Sequence, residues 1–271
     1  MMQIKKYLRT NLATAIILPL LITGCNSDTQ VMERPEKVYY DTAQRRMKAN
    51  NFFSAIESLQ AIEARYPFGQ YAEQAQSELI YAYYMNGEDE ASHEAAEKFI
   101  RLNPRHPNID YAYFMRGIAS YTRDKGVFAR VFKSDLSNRD ISGAKQAFGE
   151  LSEFLTRFPQ SQYAPYASQR LIYLRSLIAK NELVAAEYYL KRKAYVAALR
   201  RAKYVIENIP NTSENIRALQ IVRECYEALG YFELMEDIEK VIEVNGGSII
   251  ENSESASWNF FSRKAPRPAQ D

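Results

Sequence analysis

Apolar residues recur at helical spacing along most of the chain, and four stretches carry one pattern without a gap. They are AIESLQAIEARYP at 55–67, AAEKFIRLNPRHP at 95–107, AFGELSEFLTRFP at 147–159 and ALRRAKYVIENIP at 198–210. Each opens on alanine and closes on proline. The fifth position holds Leu59, Phe99, Leu151 and Ala202, and the eighth holds Ile62, Leu102, Phe154 and Val205. The twelfth holds Tyr66, His106, Phe158 and Ile209. Positions one, five, eight and twelve share a helical face, so each stretch is predicted to be an amphipathic helix stopped near its proline. The alanine column fits this: a small residue lets a neighbouring helix approach, where a larger one would overpack at about 1–3 kcal/mol.

After three of these prolines a Tyr-Ala pair follows at one offset, Tyr71-Ala72, Tyr111-Ala112 and Tyr163-Ala164, and each starts the next helix. The unit is helix, turn, helix, proline, with Tyr39 and Ala43 on the first helix of repeat one and Ala186 and Tyr189 on that of repeat four. Alanine, three residues, a large residue and then proline resembles the second helix of a tetratricopeptide repeat. Spacing between units is uneven and exceeds the roughly 34 residues of a bare repeat. Thr122 to Asp140, with Gly126, Ser134, Ser137 and Asn138, is predicted to be a long loop between the two helices of repeat three. No Gly or Pro lies between Tyr166 and Ile209, so the extra length there is predicted to be helical, as one long bent helix or an additional one. A fifth pair runs from Glu214 to Val244, turns at Gly230 and ends at Gly246-Gly247. It fits the columns poorly, as a terminal capping repeat does. The expected fold is all-α, an α-solenoid of about five tetratricopeptide-like helix pairs. Residues 248–271 are polar, contain Pro266 and Pro268, and are expected to be a largely disordered tail.

The N-terminus has a different pattern. Lys5, Lys6 and Arg9 precede an apolar run from Leu12 to Ile22, broken by Pro19. The run is shorter than the roughly 20 residues of a bilayer span and suits a signal-peptide core. It ends in Ile22-Thr23-Gly24-Cys25, which resembles a lipobox. Residues 1–24 are therefore expected to be a lipoprotein signal peptide. Cys25 would then be the lipidated residue, carrying S-diacylglycerol and an N-acyl chain, with 25–35 a linker. An ordinary secretory signal with a chance cysteine is the alternative. Several acyl chains hold a protein stably at a membrane where one does so marginally. Asn26 stands where lipoproteins retained in the inner membrane usually carry Asp, and that likeness points to the outer membrane.

The precursor's basic balance comes from that segment. Removing its three basic residues from the 35 Lys and Arg leaves 32, against 33 Asp and Glu. So balanced a chain has no electrostatic footprint for nucleic acid. Cys225 is then the only other thiol, so no internal disulfide is expected; between Ile221, Val222 and Leu229 it reads as a small core residue, with a reactive thiol as the alternative. The two histidines, His93 and His106, are isolated, with His106 in an apolar column. No Cys/His set has metal-ligand spacing, no glycine-rich loop suits phosphate, and no Ser or Cys has an evident base. Apart from covalent lipid no cofactor is expected, and neither is catalysis.

Arg65-Tyr66-Pro67-Phe68-Gly69, Leu79-Ile80-Tyr81-Ala82-Tyr83-Tyr84, Arg101 to Tyr111 and Ala186-Glu187-Tyr188-Tyr189 give the repeats a specific wording. In these segments the chain resembles the BamD (ComL-type) family, outer-membrane lipoproteins of the β-barrel assembly machine. The resemblance runs from the lipobox to about Val244. It implies five repeats facing the periplasm that bind unfolded outer-membrane proteins, dock on the barrel-inserting subunit and meet accessory lipoproteins of the complex. Repeats 1–3 (36–160) would be the substrate-binding half and repeats 4–5 (161–247) the docking half. A peptidoglycan-associated protein or a cell-wall-synthase adaptor is the alternative, since one scaffold serves many tasks.

Stacked pairs leave a groove lined by first helices, where extended peptides bind. Tyr81, Tyr84, Tyr113 and Arg116 lie on first helices of repeats two and three. Tyrosine offers flat apolar contact with a polar tip, and arginine holds a terminal carboxylate bidentately. Packing between helices is the alternative for each. Arg200, Arg201 and Lys203 crowd one helix of repeat four; the resemblance places an arginine matching Arg201 in the docking half, against the plainer reading of a solvated basic face. Arg139-Asp140, at the end of the long loop, would start a helix by capping its free N–H groups, or touch a partner.

Overall fold

A computed structural model describes residues 34–123, 140–246 and 267–268. The chain divides into two units, Met1–Pro35 and Glu36–Asp271; only Arg34 and Pro35 of the first are described, and the architecture below is that of the second. Cys25, Arg139, the signal segment, most of the 122–140 loop and the tail apart from 267–268 lie outside the described residues.

The described residues form ten helices and no strand, which establishes the all-α solenoid. The helices are α1 (Glu36–Lys48), α2 (Phe52–Arg65), α3 (Ala72–Asn86), α4 (Asp89–Leu102) and α5 (Ile109–Arg123). They continue as α6 (Ser142–Arg157), α7 (Ala164–Lys191), α8 (Tyr195–Asn208), α9 (Glu214–Leu229) and α10 (Phe232–Gly246). Each packs on its successor, while α3 also meets α5 and α7 meets α9. First helices thus lie beside first helices, the layering of a tetratricopeptide stack. The breaker-free stretch from Tyr166 to Ile209 holds most of α7, a single helix of 28 residues, and all of α8, so the extra length lies in one long helix. The fifth pair turns at Gly230, whose φ of 76° is left-handed backbone that glycine adopts without a Cβ clash.

The alanine columns mark helix contacts. Ala55, Ala147 and Ala198 are buried, as are Leu59, Leu151 and Ala202 four residues on, and Ile62, Phe154 and Val205 after them. In repeat two the predicted register is corrected by three residues. Leu102, expected in the buried eighth column, is 53% exposed, and Ala95 is only half-buried. The buried series there is Ser92, Ala96 and Phe99. Helix ends give the same answer. Tyr66, Asn103, Phe158 and Ile209 are the C-caps, and each backbone N–H donates to the carbonyl four residues back at 2.8–2.9 Å. Pro104 is therefore the proline equivalent to Pro67, Pro159 and Pro210, and His106 sits in the turn. Three of these turns share one relay. The cap carbonyl accepts from the N–H three residues on, whose own carbonyl accepts from the first residue of the next helix: Tyr66–Gly69–Ala72, Asn103–His106–Ile109 and Phe158–Ser161–Ala164. Ser92 replaces alanine without leaving a buried hydroxyl unpaired, because its Oγ donates to the Ile80 carbonyl at 2.8 Å.

One apolar cluster runs from α3 through α9, and a second joins α1, α2 and α3; Tyr81 and Met85 pack against both. Cys225, wholly buried, belongs to the larger cluster.

Candidate functional site

The tyrosines on α3 and α5 divide between buried and half-buried positions. Tyr84 is 5% exposed and packs with Ile80, Phe99 and Phe114 in the large cluster. Tyr81, half-buried, meets Phe52 edge-on at 5.9 Å, and burial raises its phenol above the ordinary value. Tyr113 lies between two cations, Arg116 at 5.1 Å and Arg157 at 5.3 Å from its ring centre, with Phe158 beside it at 5.2 Å. Arg116 and Tyr113 are three residues apart on α5 and face α6, where Arg116 Nη2 donates to Glu153 at 2.6 Å. The Arg116 side chain is 13% exposed. Its guanidinium is thus engaged within repeat three. The structure brings Tyr113 and Arg116 together, places Tyr84 in the core, and leaves Tyr81 at the junction of repeats one and two.

Beside Arg116 lies a polar network that isolated histidine positions did not disclose. Glu150 accepts from Ser120 Oγ at 2.7 Å and Gln146 Nε2 at 2.9 Å, and meets His93 Nε2 at 2.9 Å. Burial pushes the Glu150 carboxyl up, but hydrogen bonds from His93, Ser120 and Gln146 outweigh it and hold the group below the usual carboxylate range. Ser120 bonds the carboxylate rather than the imidazole, so the imidazole is not placed to take its proton as a nucleophile requires. The cluster ties α4, α5 and α6 together. His106 is a turn residue: its Nδ1 accepts from the Asn108 N–H at 3.0 Å, and its ring meets Phe99 edge-on. Among the described residues no group of three or more His, Cys, Asp or Glu is placed to hold a metal ion, and no helix is long and apolar enough to cross a membrane.

The basic residues of α8 differ in their commitments. Arg201 Nη1 donates to Glu182 at 2.6 Å, and Lys145 reaches the other oxygen at 3.0 Å. Burial raises the Glu182 carboxyl, and the two cations overcome that and lower it. Arg200 and Lys203 are exposed, with Lys203 3.7 Å from Glu207. At the start of α6, Asp140 accepts from the Ser142 N–H at 3.0 Å, a helix-start contact.

Glu78 escaped notice in the sequence and is the most buried charged group of the first-helix face, at 0% exposure. Tyr40, Gln44 and Gln74 surround it, together with Arg267 from the C-terminal tail. Its signal was present: it stands among Ala75, Leu79 and Ala82, on the apolar face of an amphipathic helix where a carboxylate needs partners.

Residues 32–241 match the family described as outer membrane lipoprotein. The chain is 34% identical to outer membrane protein assembly factor BamD of Vibrio cholerae over 226 residues, covering 83% of this chain and 94% of that one. It is 35% identical to the protein of the same name from Xylella fastidiosa strain Temecula1, covering 86% of this chain and 81% of that one. The Neisseria meningitidis serogroup A relative, also so named, is 33% identical over 85% of this chain and 89% of its own. With these matches running through all five helix pairs, the chain belongs to the BamD family of outer membrane lipoproteins.

Proposed function

We propose that this protein is an assembly factor for outer-membrane proteins, acting as a non-enzymatic scaffold. It is anchored by lipid at Cys25 and faces the periplasm. Repeats one to three receive unfolded barrel substrates on their first-helix face. Repeats four and five dock on the barrel-inserting subunit, with Arg200, Lys203 and the half-exposed Arg201 as the contributing cations, alongside accessory lipoproteins. The observation that carries this reading is the match to named assembly factors over the full stack of helix pairs. The geometry is compatible with it: a stack of this kind offers a long surface for extended peptides, and its buried polar clusters are engaged in holding helices together.

Depletion in the parent bacterium, followed by quantitative proteomics of the outer membrane, tests the proposal. Joint loss of many barrel proteins before any change of cell shape is the expected result. Altered shape with a normal barrel complement would replace it with a wall-adaptor role. Cys25→Ser is expected to move the protein from the membrane fraction to the soluble periplasm.

A further inference from the structure

On the first-helix face of repeats one and two, side chains of α1 and α3 close around one carboxylate. Gln44 Nε2 donates to Glu78 Oε2 at 2.6 Å, and the Tyr40 hydroxyl and Gln74 Nε2 reach Oε1 at 3.3 Å. Burial raises the Tyr40 phenol, and the neighbouring Glu78 charge raises it further. Neutral donors alone compensate a buried charge incompletely. The cation comes from the far end of the chain. Arg267 Nη2 lies 3.2 Å from Glu78 Oε1, donates to Gln44 Oε1 at 2.5 Å and approaches Met47 Sδ at 4.0 Å. Pro268, next to it, is buried.

We propose that Glu78, Gln44, Tyr40 and Met47 form a receiving site for a guanidinium carried on an extended, proline-flanked segment. The chain's own Arg267-Pro268 is its resident ligand. Three features suit a displaceable resident. Glu78 keeps Tyr40, Gln44 and Gln74 when Arg267 leaves, so the α1–α3 contact survives an empty site. The guanidinium is engaged through Nη2, while its buried Nε has no hydrogen-bond partner among the described residues, short of the bidentate grip an arginine can make. Pro266 and Pro268 bracket Arg267 and lower the entropy lost when the segment docks. Because Arg267 belongs to the same chain, its docking is intramolecular, at an effective concentration of roughly millimolar, so a weak contact stays occupied. Arg267-Pro268 then occupies part of the face that carries Tyr81 and competes with incoming peptides; this last consequence rests on the proposed function.

A fluorescent peptide of residues 261–271, added to the full chain and followed by anisotropy, tests the site. Binding at least ten-fold tighter to the Arg267→Ala chain than to wild type is expected, because the variant's site is vacant. In that background Glu78→Gln, and separately Gln44→Ala, should each weaken binding several-fold while the circular-dichroism spectrum is unchanged. Gln44→Ala keeps the test decisive if Glu78→Gln fails to fold. Equal binding by wild type and Arg267→Ala, or indifference to the Gln44 change, overturns the proposal. A second peptide, ending in an aromatic residue with a free carboxylate, separates the two readings. If it displaces the tail peptide, both stand. If it does not, while Arg267 dependence persists, the tail site stands and substrate binding on this face falls.

Discussion

Arg201 Nη1 on α8 lies 2.6 Å from Glu182 Oε2 on α7, and this pair changes what a charge reversal at Arg201 reports. The Glu182 side chain is 5% exposed while that of Arg201 is 48% exposed. A partly open cation is therefore holding a carboxylate that has little water of its own.

Arg201→Ala is expected to lower stability by about 1–2 kcal/mol, at the low end for a charge-assisted bond because solvent screens the exposed guanidinium. Arg201→Glu should cost more, by setting two carboxylates against each other. Thermal melts check both. Loss of insertase capture in Arg201→Glu would thus mix docking with folding. Arg200→Glu is the cleaner probe: its melting temperature should stay within a degree or two of wild type while pull-down of the barrel-inserting subunit weakens.

Acid should destabilise the stack through Glu182 and Glu150. Both carboxyls are held low in the folded chain despite their burial, by Lys145 and Arg201 in one case and by His93, Ser120 and Gln146 in the other. A group depressed on folding stabilises fully above its unfolded value, about 4.3 for glutamate, and loses that contribution as pH falls through the folded value. Melting temperature should accordingly hold near neutrality and fall below about pH 4.5. Glu182→Gln should start lower at pH 7 and decline less steeply; an unchanged acid slope would discount this carboxylate.

Two glycines make opposite predictions. A Cβ on Gly117 of α5 would stand 2.7 Å from Leu151 Cγ and Cδ2, and Leu151 is wholly buried on α6. Gly117→Ala should destabilise by about 1–3 kcal/mol through overpacking, although alanine is the better helix former. On α6, exposed Gly149 has nothing within 4 Å of the same added atom. Gly149→Ala should stabilise by about 0.5–1 kcal/mol. Urea titrations of the two variants check the sign.

Cys225 should behave as a core atom. Burial pushes its thiol up to about 11, with Glu224 adding to the effect, so little thiolate forms at neutral pH. Alkylation by iodoacetamide at pH 7.5 is expected to be slow in the native chain and complete after unfolding in urea, as read by mass spectrometry.

The residue pattern by itself determined the helix pairs, their number and their order, because an apolar stripe every three to four residues has to be buried against another helix. The alanine columns at Ala55, Ala147 and Ala198, the turn at Gly230 and the helical stretch beyond Tyr166 were all legible there. The register of repeat two was not. Positions i and i+3 share a helical face, so Ala95 with Phe99 and Ser92 with Ala96 satisfy the same template. Asn103-Pro104-Arg105-His106-Pro107 supplies two prolines to end it on. Only the packing, through buried Ser92 and the turn relay from Asn103, chose between them. Tyrosine and arginine as residue types suggested a peptide face but not where they point: Arg116 turned to Glu153, and Tyr84 entered the core. The pairings Arg201–Glu182 and Arg267–Glu78 were likewise decided by tertiary structure. A charge seeks any opposite charge, and which one it meets depends on how distant helices stack.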